Sequence, residues 1–133
     1  MAGIDMCSER LRTGERGDDT ITAVLIISIL MVAALTVFQL VAVFLGRAIA
    51  LEAARDGADR ARIPPADVTG AAQQAAGYAR NATGTWLSNV DANGRSDGNV
   101  VRVTVNAEVA SFVPFLTVRI SQTAAAPIER IQP

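Results

Sequence analysis

The sequence predicts an α+β chain: a single long N-terminal transmembrane helix continuing outside the membrane, a second helix, and a C-terminal antiparallel β-hairpin. Three observations carry this reading. Residues 21–46, "ITAVLIISILMVAALTVFQLVAVFLG", contain no charge. Residues 48–62, "AIALEAARDGADRAR", divide at helical spacing into a face of small residues and a charged face. From Val101 the period changes to two, with valines on one side of the chain and polar residues on the other.

As a helix the uncharged run is about 39 Å long, and a bilayer core of about 30 Å needs about 20 residues. The run therefore spans with tilt, or its last turn emerges from the lipid. Buried helices of soluble proteins rarely stay uncharged beyond about 14 residues, and the apolar region of a signal peptide is about 7–15 residues long. Residues 20–46 are accordingly read as a retained anchor. The flank at 1–19 carries Arg10, Arg12 and Arg16; the other flank carries Arg47, Arg55, Arg60 and Arg62. Charge is close to even across the span, so orientation rests on length. The short segment 1–19 is expected in the cytoplasm, and the larger part, 47–133, is expected to be translocated. The expected location is the cytoplasmic (inner) membrane, crossed once, N-terminus inside and C-terminus outside. Ser28 and Thr36 can return their hydroxyls to the backbone one turn earlier. Gln39 carries an amide that needs a partner in lipid, and it is expected to join helices within the membrane.

No breaker stands between Gly46 and Arg62, so the helix should continue through 47–62 until Pro64 and Pro65 end it. Ala50, Ala53, Ala54, Gly57, Ala58 and Ala61 share one face. Glu52, Arg55, Asp56, Asp59, Arg60 and Arg62 lie opposite, with Glu52–Arg55, Arg55–Asp59 and Asp56–Arg60 at pairing distance along a helix. A face without bulk lets another backbone come close and gain dispersion contacts. Its partner is the second helix, the hairpin, or the same helix of a neighbouring subunit.

The second helix is expected over 66–89, with Pro65 as start signal and Asp67 as N-cap. Val68, Ala72, Ala75, Ala79, Ala82 and Trp86 form its apolar stripe, and Gly70, Gly77 and Gly84 fall on one seam suited to close approach. Asn81-Ala82-Thr83 matches a glycosylation sequon by chance. "DANGRSDGN" at 91–99 reads as a turn cluster. A hairpin is expected over 99–122. Its first strand turns Val101, Val103, Val105, Ala107 and Val109 to the core, and Leu116, Val118 and Ile120 mark its second. The joint "SFVPF", 111–115, is apolar. Phe112 and Phe115 cap the core, dip toward lipid or meet a partner, capping being the simplest choice. The tail, 123–133, is expected to be peripheral.

Composition narrows function. The chain has 133 residues, enough for one domain, and 12 basic against 13 acidic residues. A balanced charge implies no nucleic-acid partner. Every basic residue is Arg; there is no His, and Cys7 is the only cysteine. Zinc and haem sites are therefore not expected, and no cofactor is. No phosphate loop or dinucleotide fingerprint appears, and no small-molecule substrate is expected.

The order of these pieces resembles that of the TadE-like pilus-assembly proteins, found beside the machinery of tight-adherence (Flp-type) pili. "ERGDDTITAVLI" at 15–26 and "LEAARDGADRAR" at 51–62 carry the resemblance, with "NVVRVTVNAEV" at 99–109 a weaker match. The resemblance implies a pseudopilin or minor pilin of the bacterial inner membrane. Its partners would be the lipid bilayer and other membrane helices, from TadE-like paralogues, pilin or membrane platform proteins. Some members of the family are processed by a prepilin peptidase after a glycine before the apolar helix, which makes Gly17 the candidate site here, the alternative being an uncleaved anchored accessory factor. The family places a Glu five residues beyond that glycine, where this chain has Thr22, which cannot supply the charge. Counting from Gly14 puts Asp19 at that place, but the apolar run then starts late.

Three classes of function compete. A structural assembly component uses the anchor, the smooth face and the small outer module together. An anchored extracytoplasmic binding module, outside any pilus, would work through Phe112 and Phe115. An anchored enzyme would need paired groups in a pocket, and near the hairpin only Glu108 and Asp97 offer carboxylates. The chain is read as a non-enzyme.

Overall fold

A computed structural model describes the backbone of residues 2–64 and 67–130, and the side chains of 17–64 and 67–130. Cys7, Arg10, Arg12, Gly14 and Arg16 lie outside the described side chains. Pro65 and the end of the expected tail, 131–133, lie outside the described residues. The chain divides into two compact units, Met1–Phe38 and Gln39–Pro133.

Helix α1 (Ala2–Ala61) supplies the first unit and opens the second. Every residue of the first unit whose side chain is described, 17–38, is exposed. The Ser28 hydroxyl donates to the Val24 carbonyl and the Thr36 hydroxyl to the Val32 carbonyl, each at 2.8 Å. Both polar groups are thus satisfied along their own helix, as a lipid-facing segment requires.

The second unit is an α+β module. Helix α2 (Val68–Thr83) is followed by β1 (Leu87–Ser96), β2 (Val100–Val109) and β3 (Val118–Pro127). The strands form one antiparallel sheet in the order β1-β2-β3. The expected hairpin is therefore two strands of three. Asp67 caps α2 as expected, its carboxylate accepting from the Gly70 amide at 2.9 Å. The helix stops at Thr83, not residue 89, because Gly84 takes a φ of 61° and closes the last turn through its amide to the Arg80 carbonyl. The glycine seam does not form: Gly84 is a cap, and Gly77 has nothing within 4 Å of where a side chain would start.

The expected turn cluster at 91–99 is mostly strand. Asp91–Ser96 pairs with β2, and only Asp97–Asn99 make the turn. Gly94 misleads the reading. Its side chain is absent for packing, since a Cβ there would lie 2.6 Å from the Val68 carbonyl oxygen at the start of α2. A bulge between Ser88 and Asp91 shifts the register of β1; Asn89 sits in it with a φ of 48°, a conformation Asn tolerates. The expected tail is also corrected. Residues 123–127 belong to β3, Ala126 is buried, and the Glu129 amide donates to the Arg62 carbonyl at 3.1 Å.

Alternation in β2 and β3 places the core. Val101, Val103 and Val105 are wholly buried, flanked by Ala107, Val109 and Ile120. Fully burying one such side chain stabilises by about 1.5–3 kcal/mol. Against them lie alanines of both helices: Ala50, Ala53, Ala54, Ala58 and Ala61 from α1, and Ala71, Ala72, Ala75, Ala76 and Ala79 from α2. The core is thin because its pieces are close. A methyl on Gly57 would meet the Ala75 Cβ at 3.0 Å and the Ala71 carbonyl oxygen at 3.2 Å.

Candidate functional site

The features the sequence singled out fall on three surfaces. The first is the exposed apolar stretch of α1. The described helix Gly17–Ala61 contains a stretch long and apolar enough to cross a membrane, none of it buried. A core helix of a soluble protein would be covered, and this one is bare. Gly17 is exposed, with open space where a side chain would start, and Thr22 stands exposed on the same helix.

The second surface is the small-residue face. All six of its members, Ala50, Ala53, Ala54, Gly57, Ala58 and Ala61, are buried inside the second unit. Of the three partners the sequence left open, α2 and the sheet both occupy the face: Gly57 lies against Ala75, Ala71 and Val103. The charged residues opposite reinforce this packing. Arg60 pairs with Asp56 at 3.0 Å and reaches across to the Gln74 side-chain oxygen on α2 at 3.1 Å. Arg62 lies 3.4 Å from Glu129, beyond β3.

The third surface surrounds Gln39. Its amide NH2 donates to the Ala110 carbonyl at 3.3 Å, and its amide oxygen accepts from the Phe112 backbone N–H at 3.2 Å. The partner expected on another helix is thus found inside the chain, on the β2–β3 loop. The range expected to lie in the membrane, 20–46, overlaps the folded module. Ala42 and Val43 pack against its core, and Gly46 is buried against Ile120, Val109 and Leu87. Phe112 and Phe115 do not cap the core. They are exposed, as are Val113 and Leu116, and Phe115 has a φ of 78°. Loop composition gave Phe112 and Phe115; nothing in the sequence signalled that Gln39 would hold them.

The outer face of the sheet is polar and internally engaged. Glu108 on β2 accepts from Asn89 at 2.8 Å and from Arg119 on β3 at 3.0 Å, so its carboxylate ties three strands together. Asp97 accepts from the Val100 and Asn99 amides at 2.8 and 3.2 Å. Those backbone bonds, first of all that from Val100, and the nearby Arg102 hold its carboxyl below the ordinary range. An open, shallow depression lined by Arg95, Asp97, Arg102, Thr104 and Thr123 lies beside it. Among the described residues no three His, Cys, Asp or Glu gather as a metal site would require. No protein-family model, no curated protein and no solved structure matches this chain.

Proposed function

We propose that this chain is a membrane-anchored structural component in the assembly of a tight-adherence (Flp-type) pilus or a related secretion apparatus, of the TadE-like, pseudopilin kind. One observation carries the reading: residues 21–38 are wholly exposed and carry no charge, while the small-residue face is consumed within the module. Contacts with other membrane helices therefore fall on the bare stretch, where lateral packing among Ser, Ala, Thr and larger apolar side chains is the available interaction. The segments "ERGDDTITAVLI" and "LEAARDGADRAR" support the family assignment; the second of them builds the module's interior. The N-terminus lies in the cytoplasm, the module outside, and Gly17 is the site where a prepilin peptidase would cut.

Photocrosslinkers at Leu30 and Val37 in the native membrane test this. The proposal expects them to capture pilin-like or platform proteins, and expects deletion of the chain to abolish piliation. Normal piliation in the deletion strain would sink it. A mature N-terminus at Asp18 would establish processing.

The binding-module reading draws on a different observation, the exposure of Phe112 and Phe115. Loss of function on replacing these two, with α1 contacts intact, would favour it.

A further inference from the structure

We propose that the β2–β3 loop is a second membrane contact, in which Phe112–Leu116 seat in the interfacial region of the bilayer that α1 crosses and Gln39 holds them in place. The proposal rests on residues 21–38 spanning that bilayer, and concerns a surface that lateral packing leaves unused.

The loop has the composition for it. From Ala110 to Val118 there is no charge. Phe112, Val113, Phe115 and Leu116 are all exposed, Phe115 completely. Loops that face water are polar, and grouped apolar exposure marks a contact surface. Phe115 is also held at a φ of 78°, a region where a bulky side chain is strained and glycine is not. The Phe115 side chain buries nothing within the module. A backbone outlier that carries an exposed aromatic points to function.

Placement within the module says what covers it. At the base of the loop, Val109 and Ile120 meet α1 at Gly46. Its first residues, Ala110 and Phe112, meet α1 at Gln39, seven residues before Gly46, or about 10 Å along the helix axis. The loop therefore runs back along α1 to the first residue of the module, the one that follows the apolar stretch in sequence. On this part of α1, Leu40, Val41, Phe44 and Leu45 are exposed too, and the first charge is Arg47. Continuity with a segment already in lipid favours the bilayer as occupant over a protein.

Part of the loop's backbone is already satisfied internally. Irregular chain near hydrocarbon must satisfy its polar groups internally. The Phe112 amide donates to Gln39, the Val113 amide to the Ser111 hydroxyl at 3.1 Å, and the Leu116 amide to the Val113 carbonyl at 3.2 Å. Pro114 has no amide hydrogen to satisfy, and the Ala110 carbonyl is taken by Gln39.

The test uses the full chain in lipid nanodiscs, with Cys7→Ser and one environment-sensitive fluorophore at Phe115→Cys, Leu30→Cys or Ser121→Cys. Ser121 is exposed on β3. The proposal expects the Phe115 label to be blue-shifted relative to the Ser121 label and to lose intensity to a headgroup-proximal quencher carried on lipid. The Leu30 label should lose intensity to a quencher deep in the acyl chains. If the Leu30 label is quenched and the Phe115 label behaves like the Ser121 label, the loop is not in lipid. A Phe115 label shielded from aqueous iodide yet untouched by lipid quenchers means a protein covers the loop, which also overturns the proposal. An unquenched Leu30 label removes the span itself. Phe115→Gly, which relieves the backbone, should keep the fold while a label at Val113→Cys loses its blue shift; a retained shift counts against the aromatic.

Discussion

Gly57 on α1 and Ala75 on α2 are so close that a single methyl added to Gly57 would sit 3.0 Å from the Ala75 Cβ, with Val103 at 3.2 Å on the sheet side. The alanine-lined face of α1 is smooth because two layers of the same chain rest on it. Gly57→Leu should therefore destabilise the module by about 3 kcal/mol, the upper range for overpacking a core. Chemical denaturation of the detergent-solubilised chain measures this. A stability unchanged by leucine would mean that the face is not packed against α2.

Two other glycines should respond in opposite directions. Gly77 lies inside α2 with open space around it, so Gly77→Ala should stabilise by up to about 1 kcal/mol through helix propensity and a less flexible unfolded chain. Gly94→Ala places its Cβ against Val68, 2.6 Å from the carbonyl oxygen, and should destabilise by about 1–3 kcal/mol. Val68→Ala should not fully rescue Gly94→Ala, because the carbonyl stays where it is. Thermal melts of the two single variants and the double variant decide the matter.

Gln39→Leu removes both bonds to the loop while keeping an apolar helix. The Ala110 carbonyl and the Phe112 amide lose their partner, a loss of about 1–3 kcal/mol where water cannot replace it. Hydrogen exchange should accelerate at Phe112 and Val113 and change little in β2. Unaltered exchange at Phe112 would show that the tether does not order the loop.

The β1–β2 turn should be acid-sensitive. Asp97 is held ionised by the Val100 and Asn99 amides, so its carboxyl titrates below the ordinary range when folded. A depressed carboxylate stabilises the turn at pH values above its unfolded pKa. That contribution is lost as pH falls through the folded pKa. Amide shifts of Val100 should move in the acid limb only. Asp97→Asn keeps an acceptor oxygen and should abolish the movement; its persistence would assign the titration elsewhere.

What the sequence revealed and hid follows from the size of its signals. The uncharged run, the small-residue period and the Val101–Val109 alternation are long and regular, and all three appear in the structure. The inward set on β2 was legible residue by residue. β1 was not, because it mixes a bulge at Asn89 with a glycine kept small by Val68, and both look like turn residues. The C-terminal half of β3 hid because Ala124 and Ala126 alternate with polar or equally small neighbours, leaving little contrast to read. Exposure of Phe112 and Phe115 was among the alternatives the sequence left open but not the simplest of them, because an apolar loop on a small domain ordinarily covers its core. The Gln39 tether joins residues 71 and 73 positions apart, beyond the reach of any local pattern.

Chemical accessibility of the small-residue face tests the central claim most directly. With Cys7→Ser as background, Ala54→Cys and Arg55→Cys put one thiol on the buried face and one on the exposed face of the same helix. Treated with a polar maleimide as a dilute, detergent-solubilised monomer, Arg55→Cys should react readily. Ala54→Cys should react only after denaturation, at every protein concentration. If Ala54→Cys reacts as fast as Arg55→Cys in the monomer and becomes shielded only as the chain self-associates, the face belongs to a neighbouring subunit and the account is contradicted.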